Sequence, residues 1–356
     1  MNNDNSSQPA VHLASIGIEM APDVITSAAL EDRLAAPWSS MGIAPGQLEQ
    51  LTGVRERRWW PEGTSISAMA ARACQKALES SHLPASAIGQ LAYTGVCREA
   101  FEPATACSVA ARLDLSRDTA LHDISNACLG AIDGVVMAAD AIRLGRIEAA
   151  LVVCCESARS IVNIACQKLL SDSRIEHFIP SLATLTGGSG AAAMLLVSSR
   201  ISTEGPVFLG SSVGTDARWH ELCRWGVEPA SDRSDSAARI EFMETDSVAV
   251  LKHGVELGKE TWSRFLEEMG WSSSEVNRTI CHQVGSAHRD EILAALELSH
   301  DNDFITYPFL GNMGTVSIPM TAALAAERGI LSPGQKVAFL GIGSGLVCRM
   351  IGWQWR

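Results

Sequence analysis

The sequence predicts an α/β protein of two similar halves, and three observations carry that expectation. Short apolar runs alternate with long helical stretches rich in small residues. Several of the short runs are apolar at every position, and one turn–helix–strand unit recurs late in the chain. The 356 residues suit one large domain or two of about half that length. With 47% hydrophobic and 19% charged residues the chain can fill a buried core, which excludes a disordered scaffold.

In chain order, the expected strands are Leu91–Cys97, Ala120–Ile124, Ala149–Cys155, Ala191–Val197, Arg278–His282 and Lys336–Ile342. Leu151 to Cys155 is apolar throughout, as in a strand covered on both faces. The segment from Asn126, NACLGAIDGVVMAADAIRLGRIEAALVVCCES, and that from Gly311, GNMGTVSIPMTAALAAERGILSPGQKVAFLGIGSG, share one plan: a tight turn, an Ala-rich helix, a Gly stop and a buried strand. Cys128 precedes Gly145 by the same interval as Asn312 precedes Gly329, so the two are expected at equivalent places where their helices start. The expected division is an N-terminal half over 1–198 and a C-terminal half over 199–356, the latter carrying an insertion over 215–250. Trp219 to Val250 is polar and aperiodic and reads as a long loop, with Trp219, Leu222 and Trp225 favouring a folded wall or lid.

Charge and cysteine usage narrow the partners. Lys plus Arg number 28 against 40 for Asp plus Glu, and a net charge of -12 repels polyphosphates and excludes a broad nucleic-acid footprint. The ten cysteines lie scattered in apolar runs without metal-knuckle or disulfide spacing, so reduced core thiols are expected, with no metal and no resident cofactor. MNNDNSSQPA lacks the basic start and apolar stretch of a secretory signal, and no window reaches the roughly 18 apolar residues of a membrane-spanning helix. A soluble cytoplasmic protein is expected.

Four separated positions bear chemistry. Cys128, in DISNACLGAIDG, follows an expected strand and opens a helix, where backbone N–H groups and the positive helix end favour a nucleophilic thiolate. A buried small hydrophobe is the plainer reading of such a cysteine. His282, in TICHQVGSAH, sits at a strand end, and Asn312, in FLGNMGTVSIP, ahead of the repeat helix; together they can donate hydrogen bonds to one developing enolate. Taken singly, a satisfied strand-end histidine and a helix cap explain them as well. Gly341 to Leu346, GIGSGL, follows an apolar strand and can bring a backbone N–H near a ligand.

In this order DISNACLGAIDG, ICHQVG, GNMGTVSIP and GIGSG resemble the Cys, His, Asn and Gly-loop motifs of the thiolase superfamily, in its ketoacyl synthase III branch. The resemblance runs from TGVRERRWW at Thr52 to the final Gly loop. It implies a five-layered αβαβα fold of two similar halves, a homodimer, and ping-pong chemistry in which Cys128 accepts an acyl group from a thioester. It further implies one oxyanion hole from the N–H groups of Cys128 and Gly345, and a second from His282 and Asn312. FEPATAC, HELCRW and METDS are similar to the OleA type, head-to-head acyl-CoA condensing enzymes of bacterial olefin biosynthesis.

The resemblance therefore implies non-decarboxylative Claisen condensation of two fatty acyl-CoAs to a 2-alkyl-3-oxoacyl product, with coenzyme A thioesters as substrates and no cofactor. Without decarboxylation a base must remove an α-proton, and Glu102 is expected in that role, in a segment that by resemblance crosses into the neighbouring subunit's site. Glu99 is the weaker candidate. The alternative is a ketoacyl-ACP synthase III-like decarboxylative condensation of acyl-CoA with malonyl-ACP. A non-catalytic acyl binder is disfavoured by the complete Cys128, His282 and Asn312 set. Arg55, Arg57 and Arg58 beside Trp59 and Trp60 suit the phosphates and adenine of coenzyme A, a solvated charge run being the plain alternative. An acyl carrier protein or downstream lipid-pathway enzymes are further expected partners.

Overall fold

The computed structural model describes residues 8–229 and 239–356. Its first part runs β1 (Val11–Met20), β2 (Asp23–Thr26), α1 (Ser27–Arg33), α2 (Ala35–Met41), α3 (Gln47–Thr52), β3 (Glu56–Trp59), α4 (Ile66–Ser81) and β4 (Gln90–Tyr93). There follow α5 (Thr105–Leu113), β5 (Ala120–Asp123), α6 (Gly130–Arg143), β6 (Ala149–Glu156), α7 (Arg159–Ser171), α8 (Ile175–Leu185) and β7 (Gly190–Ser198). The second part runs β8 (Val207–Thr215), β9 (Cys223–Pro229), β10 (Arg239–Thr245), α9 (Ser247–Met269), β11 (Arg278–Cys281) and α10 (Ser286–Ala295). It ends with α11 (Tyr307–Leu310), α12 (Ser317–Glu327), β12 (Lys336–Gly343) and β13 (Val347–Gln354).

Nine strands are hydrogen-bonded in the order β11-β12-β13-β8-β1-β7-β6-β4-β5, with β1 and β8 touching only where Val11 and His12 meet Phe208 and Val207. Outward from that seam the two sides repeat the same signs. On one side β1–β7 and β7–β6 are antiparallel and β6–β4 parallel; on the other β8–β13 and β13–β12 are antiparallel and β12–β11 parallel. The parallel strand β5 extends the first side alone. The duplication seen in the sequence is thus a duplication of hydrogen-bond pattern.

Layering follows from which faces are apolar. Helices α6 and α12 lie between the two sides, where Ile132, Val135, Ile318 and Ala322 join one core with Val152 and Leu196 of the first half and Phe339 and Ile351 of the second. Their Ala and Gly content lets them be covered all round, as the middle layer requires. On one outer face α4 and α5 pack Ala70, Leu78 and Val109 onto Leu91, Leu151 and Leu195. On the other, α9 and α10 pack Trp262, Phe265 and Leu293 onto Leu340 and Met350. The result is an αβαβα stack.

All six expected strands form. The equal spacing of Cys128 and Asn312 from their Gly stops is in part misleading, however. Cys128 lies inside the 3₁₀ turn Ala127–Leu129, whereas the corresponding turn of the second half is Gly314–Val316, beyond Asn312. Helix α12 has 11 residues against 14 for α6, so the shorter helix offsets the count. The expected insertion loop is also corrected: β9 and β10 form an antiparallel ribbon, pairing Cys223 with Thr245 and Trp225 with Met243. Residues 230–238 of that insertion lie outside the described residues.

Candidate active site

Cys128, His282 and Asn312, drawn from both halves, border one cavity of about 820 Å³. Leu182, Trp225, Phe242, Val248 and Leu251 supply much of its apolar wall, so the ribbon β9–β10 and the first turn of α9 act as the wall expected of the insertion. Such a volume with few polar groups fits an apolar ligand carrying one reactive end.

The nucleophile turn is tightly built. After β5 the chain turns through Ala127 at φ +45°, a left-handed conformation that a non-glycine residue rarely adopts, and Cys128 follows immediately. At Gly130 a Cβ would lie 2.4 Å from the Thr94 carbonyl oxygen, which is why the helix opens on glycine. Gly343 faces the same turn: a Cβ there would approach Cys128 Cβ to 3.6 Å. Burial opposes the thiolate expected at this helix start. Burial pushes the Cys128 thiol up to about 12, with Cys223 and the buried Glu156 adding to the rise.

His282 follows β11 directly and donates its N–H to Leu340 O at 2.8 Å. It is 5% exposed, and its Nδ1 meets no hydrogen-bond partner among the described residues. Burial first, and the neighbouring His288 second, pull its pKa down to about 3, so the ring is neutral. His288 also borders the cavity and is held down to about 4 by burial.

Asn312 is clamped by backbone. Its N–H donates to Thr186 O at 3.0 Å, and its carbonyl accepts from Gly188 N at 2.8 Å. A Cβ on Gly188 would lie 2.0 Å from Leu310 O, and Gly311, at φ +68°, would bring one to 2.4 Å from Thr186 O. The side-chain Oδ1 accepts from Gly314 N at 3.0 Å, leaving Nδ2 as a donor.

Other expected site residues fare differently. Of the Gly loop, Gly343 and Ser344 border the cavity and Gly345 does not. Glu102 is exposed and absent from the cavity of its own chain, beside a Phe101 that is 97% exposed. Their loop is anchored at both ends: Glu156 accepts from the N–H groups of Val96 and Cys97, and Asp123 from those of Thr105 and Ala106. Glu99 accepts from Ser65 Oγ at 2.5 Å and Ser67 Oγ at 2.8 Å; these bonds outweigh desolvation and lower its pKa, making it a poor base.

The basic segment is mostly structural. Arg55 is exposed and Arg58 half-buried, but Arg57 is wholly buried and bonds Ser27 Oγ at 3.0 Å. Trp59 is 3% exposed and donates its indole N–H to Gly187 O at 3.0 Å, so the expectation that it stacks on an adenine is corrected: its ring belongs to the core. Sequence reasoning missed Glu156, the single carboxyl bordering the cavity among the described residues, whose pKa burial raises. Its signal was a lone acid closing the apolar run of β6. Cys223 and His288 were missed too, because nothing local marks them.

The site and fold define a thiolase-superfamily condensing enzyme. Residues 57–177 match the thiolase N-terminal domain, and residues 266–355 match the 3-oxoacyl-[acyl-carrier-protein (ACP)] synthase III C-terminal family. An acyl-CoA:acyl-CoA alkyltransferase of Shewanella oneidensis is 46% identical over 348 residues, covering 97% of this chain and 99% of that protein. The protein of the same name from Xanthomonas campestris is 31% identical over 341 residues, 96% of this chain and 97% of that one. A crystal structure of Xanthomonas campestris OleA with bound lauric acid and lauroyl-CoA superposes with a TM-score of 0.91 at 30% identity, covering 98% of this chain and 100% of that chain. The chain belongs to the acyl-CoA:acyl-CoA alkyltransferase (OleA) family within that superfamily.

Proposed function

We propose that this protein condenses two fatty acyl-CoAs without decarboxylation, through an acyl-Cys128 intermediate, to a 2-alkyl-3-oxoacyl product. The observation that carries the reading is the convergence of Cys128, His282 and the Asn312 amide on one large apolar cavity. The resting pair is a thiol and a neutral imidazole. On attack at the thioester carbonyl the Cys128 S–C bond forms, His282 takes the thiol proton, and the coenzyme A sulfur leaves and receives it. The second acyl-CoA then loses an α-proton to a carboxylate. Asn312 Nδ2 and the His282 ring donate to the enolate oxygen, and its α-carbon attacks the acyl-Cys128 carbonyl; the Cys128 sulfur leaves as thiolate and takes up the proton held by the carboxyl group, which restores thiol and carboxylate.

Glu102 is the proposed base, acting in the site of a second copy in a homodimer. Its exposure and its absence from the lining of its own chain's cavity support that role, since a carboxylate left in solvent there is free to reach a second copy. For the oxyanion hole, the Gly345 N–H is the proposed partner of the Cys128 N–H, with Ser344, which borders the cavity, as a second Gly-loop candidate. Arg55 and Arg58 remain candidates for coenzyme A phosphates. Coenzyme A thioesters and ten unpaired cysteines suit a reducing cytoplasm.

The second reading, decarboxylative use of malonyl-ACP, draws on the ACP synthase III match over 266–355. Glu102→Gln separates the two. It should load Cys128 with acyl group at near the wild-type rate and lower condensation about 100-fold or more, releasing free acid slowly. Unchanged malonyl-dependent condensation by the variant would favour the second reading.

A further inference from the structure

Two charged residues from different elements meet behind the nucleophile turn: Asp133 in the first turn of α6 and Arg349 in β13. Their side chains are only 12% and 19% exposed, and Arg349 Nε donates to Asp133 Oδ1 at 2.7 Å across the junction of the two halves. Nothing in the condensation chemistry uses either of them. Both oxygens of Asp133 are engaged, because Oδ2 accepts from Nδ2 of Asn126. Asn126 is the residue just before Ala127, and its carbonyl accepts the Leu129 N–H at 2.9 Å, closing the turn that holds Cys128. A chain of polar contacts therefore runs from β13 through α6 to a turn that contains a left-handed alanine at φ +45°.

We propose that Asp133, held by Arg349, is a positioning residue that fixes the Asn126–Cys128 turn and thereby aims the thiol at the acyl carbonyl. The carboxylate bridges two donors that approach from different elements, so it couples the register of β13 to the direction of the Cys128 side chain. Neutralising it leaves the Arg349 cation with a weaker acceptor and frees Asn126 to rotate. The thiol then spends less time in the attacking geometry, although the cavity that binds the acyl chain is unchanged.

The inference rests on the role proposed for Cys128, and the test includes a readout independent of substrate. Asp133→Asn, Arg349→Lys and Asn126→Ala are to be compared with wild type in single-turnover acylation, in KM for an acyl-CoA, in the rate of Cys128 alkylation by iodoacetamide across pH, and in melting temperature. Asp133→Asn should lower the acylation rate constant about 10-fold to 100-fold with KM changed less than about threefold, and should alter the alkylation rate at Cys128. Arg349→Lys, which keeps the charge, should recover most of the rate. If Asp133→Asn does not fold, Asn126→Ala leaves the buried ion pair intact and should show the same split. Folded variants whose alkylation profile and acylation rate stay within about twofold of wild type, whatever their melting temperature, would overturn the proposal. Altered alkylation without any acyl transfer by wild type would instead count against the role of Cys128.

Discussion

Burial disfavours the charged forms of two groups that border the cavity. Cys128 is pushed up to about 12 and His282 pulled down to about 3 by the same cause, removal from water. Sequence position made Cys128, His282 and Asn312 legible because each sits at a strand end or helix start. It did not make their protonation legible, since burial comes from side chains distant in the chain. The lowered imidazole has a consequence for stability. As pH falls below the ordinary histidine value of 6.5, the unfolded chain takes up a proton that the folded His282 refuses until about pH 3. Across that window stability falls with decreasing pH by up to about 1.4 kcal/mol per pH unit from this group, and above it the group contributes no slope. Chemical denaturation of wild type and His282→Asn between pH 7 and pH 4.5 should show the wild type losing stability faster on acidification. Parallel curves would contradict a neutral buried ring.

At the scale of elements, runs apolar on both faces announced β4, β6, β7, β11 and β12. The seam strands β1 and β8 stayed silent. VHLASIGIEM and VFLGSSVGT interleave small and polar residues with apolar ones, because parts of both strands are only half-buried. The ribbon β9–β10 was read as a loop because its strands do not alternate cleanly: Arg224 and Thr245 border the cavity beside Trp225, Phe242 and Met243, while Val227 is exposed. The clamp on Asn312 is likewise invisible in sequence: it depends on Gly188 passing within van der Waals reach of the Leu310 carbonyl. Gly188→Ala should force that contact apart and displace Asn312, lowering condensation about 100-fold while acylation of Cys128 falls much less. Equal slowing of both half-reactions in single-turnover assays would show that the clamp serves something other than the enolate.

For the whole molecule, duplication brings Cys128 of one half and His282 and Asn312 of the other to one cavity at a shared seam. Glu102 does not border the shared cavity of its own chain, and the proposal places it in the site of a second copy. Mixing Cys128→Ala with Glu102→Gln subunits should regenerate sites that pair an intact Cys128 with an intact Glu102, restoring up to about a quarter of wild-type activity from two inactive parents if subunits exchange at random. Mixed dimers, isolated with two different tags, that stay inactive would assign Glu102 elsewhere.

The central claim is that two acyl-CoAs suffice. Purified protein given a single long-chain acyl-CoA, with no malonyl thioester present, should form a product that mass spectrometry identifies as the 2-alkyl-3-oxoacyl condensate or its hydrolysed acid. A transient acyl adduct should appear on Cys128 and on no other cysteine. An acyl-Cys128 adduct that turns over to condensed product only when malonyl-CoA or malonyl-ACP is added would contradict the account.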